Sequence, residues 1–262
     1  MLKQIPVFGC PRSGTSWLGQ ILNSSPVVLY RFQPLFSYEF KDYFIRYGVN
    51  EGSVVDFATE LLGASSPFVE TDVRFAKKKE PTHLVWKEVR YHQLIPALVT
   101  VKNISALIYI FRDPLHMINS WYCAPKEFLS GWDIRKEFMD APMKNVDANE
   151  YNGLNKWLES TELVLNNLSR KMLVVSYEDL VSSPMGIVIK LFDRLGIAVD
   201  RQVKEFVGES TTKACDDPYS VYRDLSARRE NESLALPDDV KDAILGSSRV
   251  QNRYRELVGV AI

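Results

Sequence analysis

Val7-Phe8-Gly9-Cys10-Pro11-Arg12-Ser13-Gly14-Thr15-Ser16-Trp17 reads as a phosphate-binding loop between a buried strand and a helix. Ile5 to Phe8 form a short apolar run, and Trp17, Leu18, Ile21 and Leu22 recur behind the loop at helical spacing. A helix N-terminus at that point offers unpaired backbone N–H groups and the positive end of the helix dipole, an anion site before any side chain is considered. Against the G-x-x-x-x-G-K-[ST] pattern, Gly9 and Gly14 keep the spacing and Ser16 keeps the hydroxyl, but Thr15 stands in place of the lysine. The cation has moved to Arg12. That lysine neutralises the β- and γ-phosphates beside Mg²⁺ in triphosphate enzymes, so the loop suits a donor with a single 5′-phosphate and another transferable anionic group. Taken alone, the pattern also fits a tight strand-to-helix turn with an exposed arginine.

A second constellation follows about a hundred residues on. Ala106 to Phe111 is an uninterrupted apolar run, as a parallel strand buried on both faces requires. It ends in Arg112-Asp113-Pro114, where Asp113 is placed as a helix N-cap and Pro114 as the first helical residue. Where a kinase or GTPase strand often delivers an acidic residue that supports Mg²⁺, this one delivers a cation. Arg112 would project at the carboxyl edge of the sheet, where open α/β folds bind ligands, with a planar fork that fits phosphate. A helix cap paired to a neighbouring arginine is the other reading of the same residues.

Together these segments resemble the sulfotransferases that use 3′-phosphoadenosine 5′-phosphosulfate (PAPS). Pro11 to Leu18 matches that family's P-[KR]-S-G-T-[TS]-x-[LV] loop, and Arg112 with Ser120 matches its arginine followed eight residues later by serine. Met172 to Pro184, with Tyr177-Glu178-Asp179-Leu180, and the helix from Ile187 to Ile197 follow in the family's order. The likeness is clearest over 5–197. It implies that Pro11, Arg12, Ser13, Gly14, Thr15, Ser16 and Trp17 hold the 5′-phosphosulfate end and adenine side of the donor, while Arg112 and Ser120 hold the 3′-phosphate. Tyr177 would join Trp17 at the adenine, and Arg223, Arg228 or Arg229 would lie in a late covering loop. The implied reaction moves a sulfuryl group to a hydroxyl or amine of a small-molecule, lipid or carbohydrate acceptor and releases adenosine 3′,5′-bisphosphate (PAP), without a metal. A P-loop small-molecule or nucleotide kinase and a non-catalytic nucleotide-binding protein are the competing readings.

For the chemistry, Arg12 is the candidate for charge on the leaving phosphate, and Lys87, ending Leu84-Val85-Trp86-Lys87, matches the family's strand-end lysine. A solvated strand-end lysine is its alternative. The base departs from the family, because Gln33 and Val89 stand where relatives carry glutamate or histidine. Glu88 and His92, close to Lys87, are the nominated replacements, with Glu39 and His83 as further options. The aromatic segment Phe32 to Tyr47 reads either as an acceptor wall or as core packing.

The 262 residues, 46% of them hydrophobic, suit one α/β domain, a central parallel sheet flanked by helices, with 198–262 as a helical C-terminal part. A formal net charge of −1 gives no general attraction to nucleic acid. Cys10, Cys123 and Cys215 are odd in number and widely spaced, and with no leader or membrane-length run ahead of the first strand the expectation is a cytoplasmic protein with reduced thiols. Strands are expected near Val27–Leu29, His83–Lys87 and Met172–Val175, and a long amphipathic helix over Asp147–Leu168.

Overall fold

The structure, a computed structural model, describes residues 2–64, 75–213, 215, 217, 219–226 and 234–262. Five strands form one parallel sheet: β1 Lys3–Phe8, β2 Val28–Phe32, β3 His83–Glu88, β4 Leu107–Phe111 and β5 Met172–Ser176, in the spatial order β2-β3-β1-β4-β5. Every residue of β3, β4 and β5 is buried, which is why those runs are nearly continuous in apolar residues rather than alternating.

The pleat sends successive side chains to opposite faces. Leu84, Trp86, Leu107, Tyr109, Phe111, Met172 and Val174 enter one apolar core, whereas Ile5, Val7, Val85, Ile108, Ile110, Leu173 and Val175 enter a second. The first core is completed by helices Glu51–Gly63, Pro114–Tyr122 and Leu154–Leu165, and also by Asp238–Leu245 and Ser248–Val260 near the C-terminus. The second is completed by Thr15–Asn23, Pro184–Leu195 and Arg201–Thr212. The C-terminal helices therefore share a core with the sheet through Val240, Ile244, Val250 and Leu257.

The register aligns the carboxyl ends of the strands, pairing Phe32 with Lys87, Phe8 with Glu88, and Phe111 with Ser176. The chain leaves β1 toward β3 and β2 but leaves β4 toward β5, so the loops after β1 and β4 part and open a crevice at the switch point. Arg12 and Arg112 stand on the two sides of it.

One expected element is shorter than the amphipathic pattern indicates. The helix runs Leu154–Leu165, because Gly153 takes φ 83 and the preceding chain is folded into turns by Asn145 and Asn152, whose side chains hydrogen bond to each other at 3.1 Å. A Cβ on Gly153 would lie 2.7 Å from Met139 O, so the chain cannot simply continue the helix backward with a larger residue. Among the described residues, no helix is long and apolar enough to cross a membrane, and the three cysteines are unbridged.

Candidate active site

The loop after β1 is shaped by close approach. A Cβ on Gly9 would fall 2.4 Å from Ile110 O, and one on Gly14 would fall 2.4 Å from Tyr177 Cδ2. Gly14 also takes φ 89, a conformation that L side chains rarely adopt. It immediately precedes helix Thr15–Asn23, so the free N–H groups of that helix face the crevice. Arg12 takes φ 70 within the same turn. Its Nη1 donates to Glu127 Oε1 at 3.1 Å and its Nε to Ser120 Oγ at 3.3 Å. Ser13 is fully buried, and its Oγ has no hydrogen-bond partner among the described residues.

The end of β4 is fixed by its cap. Asp113 Oδ1 accepts from Leu115 N at 2.9 Å and His116 N at 3.2 Å, Pro114 begins the helix, and Asp113 N donates to Glu178 Oε1 at 3.0 Å. The cap reading of Asp113 and Pro114 therefore holds, and the Asp113 oxygen that caps the helix forms no described ion pair with the neighbouring arginine. Arg112 lies 4.5 Å over the Tyr177 ring and donates Nη1 to Arg12 O at 3.3 Å. Its Nε is buried without a partner, and no carboxylate among the described residues reaches it at ion-pair distance. A buried guanidinium with a spare donor and no carboxylate in ion-pair contact among the described residues can receive an anion.

These groups line one cleft of about 410 Å³ at the carboxyl edge of the sheet, a size suited to a nucleotide-sized ligand. Pro11, Arg12, Gly14, Thr15, Ser16, Trp17, Lys87, Arg112, Ser120 and Tyr177 all reach it, while Ser13 sits beneath the loop. Trp17 is anchored by Nε1 donating to Ser210 Oγ at 3.0 Å and meets Tyr177 edge-on at 6.3 Å between centroids. Among the described residues, Arg90, Lys144 and Arg223 bring the cationic side chains in the lining to six, against one carboxylate, Glu127. Such a surface concentrates a polyanion.

Strand alternation separates two neighbours that are adjacent in sequence. Lys87 follows Val85 toward the cleft, its Nζ 4.2 Å over the Phe32 ring. Burial pushes its ammonium down to about 7, against the opposing pull of Glu88 and Glu127. Glu88 points to the other face, where Oε1 accepts from Leu35 N at 2.6 Å, and it does not line the cleft. Burial pushes its carboxyl up to about 8, opposed by the Leu35 N–H, Lys87 and Arg90. His92 is likewise fully buried outside the lining, its Nδ1 2.6 Å from Ser160 Oγ and its ring stacked on Tyr151 at 4.2 Å. Burial, reinforced by Lys156, pushes this imidazole down to about 3.

The geometry therefore gives neither nominated base access to the cleft. Its cause is direct: Glu88 caps a buried turn, and His92 lies under the loop against Phe8, Tyr109 and Tyr151. Glu39 and His83 do not line the cleft either, whereas Gln33 and Val89 do. The aromatic segment divides. Phe32 and Phe36 face the cleft, Phe40, Tyr43 and Phe44 pack in the core around Phe57 and Trp86, and Tyr38 and Tyr47 are exposed. Arg223 reaches the lining, while Arg228 and Arg229 lie outside the described residues. Glu127, Lys144 and Tyr219 are lining residues that sequence reasoning did not single out, since each sits in a loop with no periodicity or motif around it.

The fold agrees with that of known proteins. The model of the sulfotransferase family matches residues 4–201, and the chain belongs to that family. No curated protein matches the sequence significantly. Among solved structures, the mouse sulfotransferase SULT7A1 complexed with PAP is similar at 16% identity and TM-score 0.51, over 97% of this chain and 82% of that one. The sulfotransferase domain of the Synechococcus PCC 7002 olefin synthase is similar at 14% identity and TM-score 0.53, over 98% and 94%. Retinol dehydratase in complex with androsterone and inactive cofactor PAP is similar at 13% identity and TM-score 0.52, over 99% and 81%. At these identities the likeness is one of fold.

Proposed function

We propose that the protein transfers the sulfuryl group of PAPS to a hydroxyl or amine and releases PAP. The observation that carries this reading is the pairing of two cationic, donor-rich clusters across one crevice. The loop and helix N-terminus behind Gly14 face it from β1, and the uncompensated Arg112 with Ser120 faces it from β4. A nucleotide with phosphates at both its 5′ and 3′ positions would engage both. The residues fit such a ligand: Arg112 Nε lacks a protein partner, and the Gly14 backbone closes on Tyr177 too tightly for a Cβ.

In this reading Arg112 and Ser120 hold the 3′-phosphate, Trp17 and Tyr177 flank the adenine, and Thr15 and Ser16 with the helix N-terminus hold the 5′-phosphate. The donor supplies an activated sulfuryl group. The chain's contribution is to align the acceptor with it and to stabilise charge growing on the departing phosphate, work that falls to Arg12 and Lys87. The acceptor is a small molecule, lipid or sugar that enters past Phe32 and Phe36. A kinase would carry a lysine in place of Thr15 and carboxylates to support magnesium, whereas the described lining sets six cationic side chains against one carboxylate.

Titration calorimetry with PAP, AMP and magnesium ATP tests the donor. PAP should bind more tightly than AMP by roughly 1.5–3 kcal/mol, about 10- to 150-fold, the worth of a charge-assisted contact, and Arg112→Ala should erase the difference. Equal affinity for AMP and PAP removes the 3′-phosphate assignment, and tighter binding of magnesium ATP favours phosphoryl transfer. Radiolabelled PAPS with a panel of alcohols, phenols and amines then reads the reaction itself.

A further inference from the structure

The two positions where a base is expected by resemblance, Gln33 and Val89, both line the cleft and neither can take a proton at neutral pH. Glu88 and His92 can, but they are turned away from it. Among its described residues the lining holds one carboxylate, Glu127, and no imidazole. It sits on the turn after helix Pro114–Tyr122, and the turn is firmly held. Glu127 N and Phe128 N both donate to Ala124 O, at 2.9 and 2.8 Å, Phe128 packs edge-on against Trp121 and Tyr122, and Lys126 N donates to Tyr219 Oη at 2.7 Å. The Glu127 side chain is 25% exposed. Oε1 is engaged by Arg12 Nη1 at 3.1 Å, and Oε2 makes no hydrogen bond with a described residue. Glu127 and Lys87 line the same cleft, and the carboxylate's charge works against the burial that lowers the Lys87 ammonium.

Arg12 thus lies between two anions that want it, Glu127 and the phosphate of the donor. We propose that Glu127 is the general base of the transfer, held by Arg12 until the donor's phosphate draws that guanidinium away. This inference rests on the sulfuryl-transfer reading. The acceptor oxygen forms the new bond to sulfur as the bridging sulfur–oxygen bond breaks, the electron pair of that bond stays on the 5′-phosphate, and the acceptor's proton passes to a Glu127 oxygen. The proton is then released to water, which restores the carboxylate and its pairing with Arg12. One cation is used twice, first to restrain the base and then to stabilise the leaving group.

Glu127→Gln and Glu127→Asp separate a base from a residue that merely positions Arg12. Each variant is first checked by thermal melting, then assayed for transfer from PAPS with the acceptor that serves the wild type, and titrated with PAP in a calorimeter. A base predicts that Glu127→Gln lowers kcat on the order of 100-fold with little change in the KM for PAPS. PAP should bind as tightly as to the wild type or more tightly, because a competitor for Arg12 has been removed. Glu127→Asp, which keeps the carboxylate, should recover part of the rate. If Glu127→Gln keeps kcat within a few-fold, or if PAP affinity falls in step with kcat and Glu127→Asp recovers nothing, Glu127 is not the base. A wild-type protein that binds PAP but transfers nothing from PAPS to any acceptor overturns the sulfuryl-transfer reading, and the base with it.

Discussion

Arg12 Nε donates to Ser120 Oγ at 3.3 Å, joining segments 108 residues apart. One segment leaves β1 and the other follows β4, so the hydrogen bond ties the loop cation to the helix hydroxyl across the crevice, where the proposed chemistry gives Arg12 the leaving phosphate. Removing the guanidinium should therefore cost chemistry more than affinity. Arg12→Ala is expected to lower kcat on the order of 100-fold or more, as for other groups aimed at developing charge, with a smaller change in PAP binding. Near-normal turnover in that variant would take Arg12 out of the mechanism.

Lys87 carries the pH signature. Burial holds its ammonium near 7, and the proposed role needs the charged form. The value of kcat/KM should therefore fall as pH rises through about 7. Lys87→Arg, which stays charged throughout, should lose that decline while keeping part of the rate, and Lys87→Met should be slow at every pH. A profile that rises through 7 would mean that the neutral amine is the working form.

Glu88 should prove structural. Because its carboxyl accepts from Leu35 N in a buried turn, Glu88→Gln, which keeps an acceptor there, is expected to stay within about threefold of wild-type activity. Glu88→Ala leaves the Leu35 N–H without its partner and should cost about 1–3 kcal/mol in urea unfolding. A hundredfold loss of kcat in a folded Glu88→Gln protein would return this residue to the catalytic set.

His92 should appear in acid stability instead of in rate. Its pKa is about 3 in the fold against 6.5 when free, so the unfolded chain binds a proton in that interval and the folded chain does not. The stability contributed by the neutral ring is complete above 6.5 and is lost as pH falls toward 3, at no more than ~1.4 kcal/mol per unit. The difference in unfolding free energy between wild type and His92→Gln should shrink over that window. A difference independent of pH would show that the ring is charged inside the fold.

Much of this was legible along the chain. Gly9, Gly14 and Arg12 reported a tight strand-loop-helix turn because backbone constraints on such a turn are written locally, and Arg112-Asp113-Pro114 reported a capped helix at a strand end for the same reason. The apolar runs of β3, β4 and β5 gave a parallel sheet buried on both faces, which fixes where its carboxyl edge must carry ligands.

What the sequence could not decide was direction and distance. Lys87 and Glu88 are neighbours in the chain, yet the pleat turns one into the cleft and the other onto Leu35 N. His92 is five residues from Lys87 but lies beneath the loop, stacked on Tyr151 in the turns ahead of helix Leu154–Leu165. Glu127 belongs to the cleft because the β4 helix and the β1 loop meet there, a contact made over 115 residues that no local pattern encodes. Motifs specify the glycine loop and the capped strand end, since those are built from consecutive backbone; which titratable side chains share the cleft is decided by packing, since it depends on which side chains from separate elements face the same space.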